Sequence, residues 1–265
     1  MKKIVAILLA ALLCLSLAAC GSSAQSAPTK IVMGTSADYP PFEFIVLDEN
    51  GERQFVGIDI SVAQAIAADM GVELQVSNMD FDSLMAALQK GDVDMVLAAI
   101  EATEDRMEAA DFSDPYYSPS DDDAALILVR AADADLYNSL EDFAGKSVGA
   151  QTGTTKYDLI GSDLPGANAM GLTSVNDLVN QLVYEKVDAI VLDGAVALQY
   201  AESNADLVVA KVNLGTALPY CVAVQKGDPK GLLEGINATI ARLIADGSIE
   251  TFSQEADVLS NEAIE

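Results

Sequence analysis

Residues 91–117 decide the fold, and they run Gly-Asp-Val-Asp-Met-Val-Leu-Ala-Ala-Ile-Glu-Ala-Thr-Glu-Asp-Arg-Met-Glu-Ala-Ala-Asp-Phe-Ser-Asp-Pro-Tyr-Tyr. The apolar segment Val93 to Ala98 is typical of a strand buried on both faces. Thr103 is suited to cap a helix, and acids follow in the first turn, where the helix dipole favours them. Arg106 is therefore predicted just beyond the carboxyl end of a buried strand, the edge at which open α/β sheets bind ligands.

An arginine at that edge is a candidate clamp for an anion, because the guanidinium group forms paired hydrogen bonds with a carboxylate. The alternative is an ordinary surface arginine that pairs with Asp105 or Glu101. Arginine is scarce in this chain, which has only Arg53, Arg106, Arg130 and Arg242.

The rest of the chain predicts two α/β units. Strands and helices alternate from residue 30 to residue 98, which indicates a mainly parallel sheet with helices on both faces. The predicted elements are a strand 30–34, a helix 60–70 ended by Gly71, a strand 72–76 and a helix 83–89. A second, smaller unit has predicted strands at 124–130, 187–192 and 207–210 and helices at 174–184 and 195–203. A further long helix is predicted over 229–246.

Several motifs in this order resemble those of the polar amino-acid solute-binding proteins of ABC transporters. They are Asp94-Met-Val, Thr103-x-x-Arg and Asp111-Phe-Ser-Asp-Pro-Tyr-Tyr, and the resemblance covers nearly all the chain after about residue 30. It implies the two-lobed type II periplasmic-binding-protein fold, in which each lobe is a mainly parallel sheet flanked by helices. It also implies capture of a polar amino acid by hinge closure and delivery to an ABC permease, without enzymatic activity.

The resemblance also implies how the chain is divided. The first lobe is expected over residues 30–119 and again over 216–265, and the second lobe over 120–215. The hinge is expected near residues 118–123 and 212–218. Three consecutive acids, Asp121 to Asp123, lie beside that hinge. A solvated turn is the favoured interpretation of these acids, and a cation site is the alternative.

The N-terminus has the pattern of a bacterial lipoprotein leader. Lys2 and Lys3 precede an apolar segment too short to span a bilayer comfortably. The sequence Leu17-Ala-Ala-Cys20 resembles a lipobox, so we expect a signal peptide over residues 1–19, lipidation of Cys20 and a flexible tether over 20–29. The protein would then be anchored at the outer face of the cytoplasmic membrane. The alternative is a plain secretory peptide with a chance cysteine.

Composition excludes several kinds of chemistry. The formal charge is −27 for the full chain and −29 once Lys2 and Lys3 are removed with the leader, so binding of nucleic acid or an anionic bilayer is not expected. The chain has no histidine, which excludes histidine-based catalysis and histidine metal sites. Apart from Cys14 and Cys20 at the N-terminus it has only Cys221, in an apolar segment that predicts a buried small hydrophobe. We expect a monomer without metal or cofactor.

The resemblance supplies a ligand site for a zwitterion. Arg106 matches the arginine that clamps the ligand carboxylate, and Asp193 matches the acid that takes the ammonium. The remaining matches are donors at a helix N-terminus in the second lobe (Thr154 and Thr155), aromatic residues that pack on the ligand side chain (Tyr39 and Phe81) and a second-lobe residue facing that side chain (Gln151).

Three positions of the predicted site depart from the family pattern. Many relatives have an acid where this chain has Ser36, and Ala98-Ala99 replaces an Ala-Gly or Ser-Ser turn. Glu101 stands where a serine or threonine helps to hold the ammonium. Both Ala99 and Glu101 are still counted among the ligand-binding positions.

Glu101 leaves the identity of the ligand open. A single ammonium cannot neutralise both Asp193 and Glu101, and an unpaired buried charge is costly. Glu101 could pair with Arg106 or face solvent, it could become neutral, or the ligand could bring a second cation. The net charge and Glu43, which is nearby in sequence, favour the third possibility, and with it lysine, arginine or ornithine over glutamine or glutamate.

Two further function classes are kept as alternatives. A ligand sensor is one, although we expect no transmembrane or signalling segment after the last predicted helix. The other is a dehydratase-like enzyme on the same fold, for which Glu101 is the candidate general acid.

Overall fold

Two five-stranded sheets, each flanked by helices, form the two lobes of this computed structural model, which describes residues 29–119, 125–215 and 218–263. The predicted signal peptide, Cys20, the tether before Thr29 and the acids Asp121–Asp123 lie outside the described residues. In the described residues, no helix combines the length and the apolar character needed to cross a membrane.

The first part of the chain builds most of one lobe. Its elements are β1 (Lys30–Thr35), β2 (Phe44–Leu47), β3 (Arg53–Val56), α1 (Ile58–Met70), β4 (Glu73–Asn78), α2 (Phe81–Lys90), β5 (Met95–Val96), α3 (Glu104–Ala109) and β6 (Ala110–Phe112). Strands β2 and β3 form a separate hairpin.

The second sheet is built from the middle of the chain, and the last elements return to the first. The middle elements are β7 (Ala125–Arg130), β8 (Ser147–Gln151), α4 (Thr155–Asp163), β9 (Asn168–Leu172), α5 (Val175–Val183), β10 (Ala189–Leu192), α6 (Gly194–Ser203) and β11 (Leu207–Leu214). Two 3-10 helices, Ala131–Leu136 and Leu140–Phe143, follow β7. The last elements are β12 (Ala223–Gln225), α7 (Leu233–Ala245) and α8 (Ser248–Ser260).

Each sheet contains a strand that runs against its neighbours. The first sheet has the order β4-β1-β5-β12-β6, in which β12 is antiparallel to both β5 and β6. The second has the order β11-β7-β10-β8-β9, in which β7 is antiparallel to both β10 and β11. Strands β7 and β12 are the first in their sheets after the chain has come from the other sheet. The other pairings, β1 with β4 and β5 and β8 with β9 and β10, are parallel, as the βαβ pattern predicted.

The helix signals of the sequence are confirmed at several termini. Gly71 ends α1 in the left-handed conformation, with φ 68°, and the Ser174 side chain caps α5. The predicted helix start at Pro229 is wrong, because α7 begins at Leu233. The Asp228 carboxylate accepts hydrogen bonds from the backbone N–H groups of Leu232 and Leu233, so it caps a helix that begins four residues later than predicted.

The strand predicted over residues 93–98 is buried as expected, but its ladder is shorter. Val93, Leu97 and Ala98 are all buried, whereas only Met95 and Val96 pair in the sheet. Ala99 then has a positive φ of 45°, which turns the chain out of the sheet. The turn directs residues 100–106 to the end of β5, where the candidate site lies.

Cys221 is buried in the first lobe beside β12, as the sequence predicted. Burial raises the pKa of its thiol to about 11. The thiol therefore stays protonated near neutral pH and acts as a small apolar side chain.

Candidate functional site

A cleft between the lobes gathers the charged side chains that the sequence singled out. Arg106 and Glu101 come from the first lobe, just after β5, and Asp193 comes from the second, directly after β10. The N-terminus of α4 meets them from the second lobe, following the glycine turn at Gly153. Elements of both lobes therefore place titratable groups on one cavity.

Arg106 lies one turn into α3, as predicted, and it reaches across the cleft. Thr103 caps this helix by accepting a hydrogen bond from the Arg106 backbone N–H. The guanidinium Nη1 donates to the Glu101 carbonyl at 3.0 Å and to Glu101 Oε2 at 3.2 Å, and Nη2 donates to the Gly153 carbonyl at 3.0 Å. The guanidinium carbon also lies 5.4 Å from the centre of the Phe81 ring, a cation–π contact.

Asp193 connects the lobes from the opposite side of the cleft. The Tyr39 hydroxyl donates a hydrogen bond of 2.6 Å to Asp193 Oδ2 and accepts one of 3.2 Å from the Asp193 backbone N–H. Burial, together with the negative charge of Asp193, raises the pKa of Tyr39 well above its usual value. The phenol therefore stays a hydrogen-bond donor to the carboxylate at all physiological pH values.

Lys156 is the charged residue of the cleft that sequence reasoning missed. Its ammonium lies 2.5 Å from Glu101 Oε1 and 2.6 Å from Asp193 Oδ1, so it joins the two carboxylates. Only 7% of its side chain is exposed. Its position in the sequence could have pointed to it. Lys156 directly follows the predicted donors Thr154 and Thr155, and it is the second residue of a helix, where the dipole disfavours a cation.

The cations and acids of the cleft stabilise each other's charged forms. Burial opposes the charged form of Glu101, but the nearby Lys156 and Arg106 outweigh it and lower the pKa of Glu101. Burial likewise opposes the charged form of Lys156, and attraction by Asp193 and Glu101 nevertheless raises its pKa. Glu101 therefore pairs with Arg106, which was one of the three possibilities, and these contacts favour its charged form. Two cations and two carboxylates leave these four residues with no net charge.

The remaining second-lobe candidates lie at the cleft with different partners. Thr155 Oγ1 donates to Glu101 Oε1 at 2.9 Å, whereas Thr154 caps α4 and donates to the Gln151 carbonyl at 2.7 Å. The Gln151 amide donates to the Thr173 carbonyl at 2.9 Å, and its nitrogen is 3.5 Å from Ser36 Oγ.

One small cavity of about 10 Å³ lies among these groups. It has room for about one water molecule. Seven predicted site residues line it, and so do Lys156, Glu43 and Ala98. The seven are Tyr39, Phe81, Ala99, Glu101, Gln151, Thr154 and Asp193. Arg106 and Thr155 form hydrogen bonds with the lining residue Glu101. Ser36 lies next to another lining residue, Gln151.

A buried pair of acids supports the first-lobe wall of the cavity. Asp59 accepts hydrogen bonds from the Ala99 backbone N–H at 2.8 Å and from the Tyr116 hydroxyl at 2.7 Å. It therefore holds the left-handed turn at Ala99. Glu43 is 1% exposed and lies beside Asp59. Burial and the neighbouring Asp59 raise the pKa of Glu43 well above its usual value, while burial raises that of Asp59 to about 6.

Replacing Glu43 with glutamine is expected to remove part of the pH dependence of stability. Glu43 keeps its proton in the folded state, whereas in the unfolded chain it loses the proton above its ordinary pKa of 4.5. The stability that Glu43 contributes therefore decreases as the pH rises from 4.5 towards the pKa of the folded state. The free energy of unfolding of the wild type minus that of Glu43→Gln should fall by about 1.4 kcal/mol per pH unit. Urea unfolding between pH 5 and 7 measures this difference.

The control is Glu49→Gln, which changes an exposed carboxylate of the β2–β3 turn. Its difference from the wild type should vary little over the same pH range. A Glu43→Gln difference that is equally flat would show that Glu43 is ionised in the folded protein.

Comparisons with known proteins place this geometry in context. A model of the bacterial extracellular solute-binding proteins, family 3, matches residues 31–255. The arginine-binding extracellular protein ArtP of Bacillus subtilis (strain 168) is 38% identical over 213 residues, which are 78% of this chain and 79% of that protein.

Solved structures give the same picture. An amino acid ABC transporter substrate-binding protein from Streptococcus pneumoniae Canada MDR_19A, bound to L-arginine, matches with a TM-score of 0.82 and 38% identity, over 87% of this chain and 94% of that one. The ancestral amino acid-binding protein AncCDT-1, a precursor of cyclohexadienyl dehydratase, matches with a TM-score of 0.75 and 32% identity, over 86% of this chain and 95% of that one.

Proposed function

Because the chain belongs to the bacterial extracellular solute-binding proteins of family 3, as its motifs predicted, we propose that it captures a basic amino acid for an ABC importer. Arginine is the first candidate, since ArtP is described as arginine-binding and the Streptococcus pneumoniae protein was solved with L-arginine. Closure of the two lobes around the amino acid would bury it. Lipidation of Cys20 would keep the monomeric protein at the outer face of the membrane that holds the permease.

The observation that carries this proposal is the pair of opposite charges on one cleft. Arg106 from the first lobe and Asp193 from the second are joined through Glu101 and Lys156 into a chain of alternating charges. An α-amino acid carries a carboxylate and an ammonium, and it could replace the internal partners of Arg106 and Asp193 only when both lobes close on it.

The argument that Glu101 demands a second cation from the ligand does not hold in this arrangement. Lys156 and Arg106 both contact Glu101, so its charge is already compensated. The preference for a basic ligand therefore rests on the arginine-binding relatives and on the strongly negative chain, which attracts cations.

An enzymatic role is disfavoured by the state of Glu101. A general acid needs a proton to give near neutral pH, whereas Lys156 and Arg106 lower the pKa of Glu101 against the effect of burial. ArtP is described as an arginine-binding protein, the Streptococcus pneumoniae protein as an ABC transporter substrate-binding protein and AncCDT-1 as an amino acid-binding protein that is a precursor of a dehydratase. We infer binding without turnover.

The proposal predicts that L-arginine stabilises the protein in a thermal-shift screen of the twenty amino acids and ornithine. A ligand at 100 times its Kd adds about 2.7 kcal/mol, which raises the Tm of a chain of this size by about 5–11 °C. Lysine and ornithine should act in the same direction, and glutamate should not.

Two results of the screen would contradict the proposal at different levels. Stabilisation by glutamine or glutamate and not by the basic amino acids would reject the basic ligand and keep the solute-binding role. No stabilisation by any of the twenty-one compounds, together with no amino acid co-purified in native mass spectrometry, would reject amino-acid capture itself.

A further inference from the structure

Lys156 lies where the ammonium group of the ligand is expected to bind. Asp193 is the acid assigned to that ammonium, and Glu101 stands at the position of a hydroxyl that helps to hold it. The Lys156 ammonium contacts both, at 2.6 Å from Asp193 Oδ1 and 2.5 Å from Glu101 Oε1. A cation of the chain itself therefore forms ion pairs with both groups available to a ligand ammonium.

The two carboxylates are what hold Lys156 in this place. It is the second residue of α4, where the positive end of the helix dipole disfavours a cation. Its side chain is almost fully buried, which also disfavours a charge unless the charge is paired. Without Glu101 and Asp193, a lysine here would extend to solvent, because its ammonium is strongly hydrated and its stem is flexible.

The same contacts join the lobes. Lys156 and Asp193 belong to the second lobe, and Glu101 belongs to the first, so the Lys156–Glu101 pair crosses the cleft. With Lys156 in place, the cavity has room for about one water molecule and not for an amino acid. Any ligand must therefore enter after the cleft opens and the Lys156–Glu101 contact breaks.

We propose that Lys156 is a tethered competitor of the ligand ammonium: it closes the cleft of the ligand-free protein, and it must leave Asp193 and Glu101 when an α-amino acid binds. This inference rests on the proposed function for the identity of the ligand. It makes Lys156 a specificity-determining residue, because it reduces the advantage that an α-ammonium would otherwise give.

The consequence is a defined pattern of ligand discrimination. L-Arginine must displace Lys156 from the carboxylates, and the favourable pairing of its ammonium is offset by the pairing that Lys156 loses. The analogue 5-guanidinopentanoate lacks the α-ammonium, so Lys156 can keep its contact with Asp193, which belongs to the same lobe, while the analogue occupies the opened cleft. Once Lys156 is removed, the analogue would leave Glu101 and Asp193 without a shared cation, whereas arginine would supply one.

Isothermal titration of both compounds into the wild type and Lys156→Met tests this pattern. The wild type is expected to prefer arginine over 5-guanidinopentanoate by less than about 10-fold, and Lys156→Met by more than about 100-fold. Lys156→Gln, which keeps a polar group without the charge, should follow Lys156→Met and serves if the methionine variant does not fold. Lys186→Met, on an exposed lysine of the same lobe, should match the wild type.

Small-angle scattering of the ligand-free proteins provides a test that does not depend on the ligand. Lys156→Met should have a larger radius of gyration than the wild type and Lys186→Met, and saturating arginine should bring all three to the same value. A wild type as open as Lys156→Met would overturn the inference, and so would equal discrimination between the two compounds in both proteins.

The two proposals fail in different ways. If no arginine binding is detected in any of the proteins, the proposed ligand is wrong, and scattering alone decides whether Lys156 closes the cleft. If arginine binds but Lys156→Met neither opens nor changes its discrimination, the proposed function stands and the role of Lys156 is wrong.

Discussion

Replacing Arg106 with alanine is expected to weaken arginine binding by at least about 30-fold, which corresponds to the lower end of the 2–5 kcal/mol cost of removing one partner of a buried charge pair. The guanidinium group now donates to Glu101 and to the Gly153 carbonyl of the other lobe. A ligand carboxylate would take over some of these donors on binding. Titration calorimetry on the folded variant measures the loss.

Two further variants identify the chemistry behind that loss. Arg53→Ala changes an exposed arginine of the β2–β3 hairpin and should bind as the wild type does. Arg106→Lys keeps the charge but not the paired hydrogen bonds, so it should recover only part of the affinity. Wild-type affinity in a folded Arg106→Ala protein would remove Arg106 from the site.

Local signals in the sequence are sufficient for the region around Arg106. The Thr103 cap, the short helix and the arginine beyond a buried strand depend on residues within a few positions of one another. The structure has each of these features. What the sequence could not define was the length of β5, since the ladder ends where Asp59, 40 residues away, holds the left-handed turn at Ala99.

Lys156 illustrates the opposite case. Its partners lie 55 and 37 positions away in sequence, on the ends of strands in two different sheets. A lysine side chain is long and flexible, and its direction is set by which acids the fold brings within reach. The resemblance indicated only donors at this helix N-terminus, Thr154 and Thr155, while the structure also places there the Lys156 ammonium, between two carboxylates.

The sheets show the same limit. Alternation of strands and helices predicts parallel sheets, and most pairings are parallel. The antiparallel direction of β7 and β12 follows from the crossing of the chain between the sheets, which no local pattern encodes. Only the resemblance to a known family pointed to those crossings.

Replacing Gly57 with alanine is expected to cause a large loss of stability, about 3–5 kcal/mol. Gly57 precedes α1 with φ 120°, a conformation essentially restricted to glycine. A Cβ there would lie 2.2 Å from the Phe42 carbonyl oxygen and 2.9 Å from that of Pro41. Both carbonyls accept hydrogen bonds from the start of α1, at Ile58 and Asp59, so they cannot move away without breaking those bonds.

The loop that would be displaced carries Tyr39 and Glu43 of the cavity wall, so Gly57→Ala should also weaken arginine binding. The matched control is Gly51→Ala, where φ is 79° but a Cβ would have no atom within 4 Å. Its cost should be the backbone penalty alone, about 1–2 kcal/mol. Urea unfolding of both variants separates the cost of the positive φ from the cost of the Cβ contact. Equal losses of stability would mean that the positive φ, and not the contact with Phe42, is the reason for glycine at position 57.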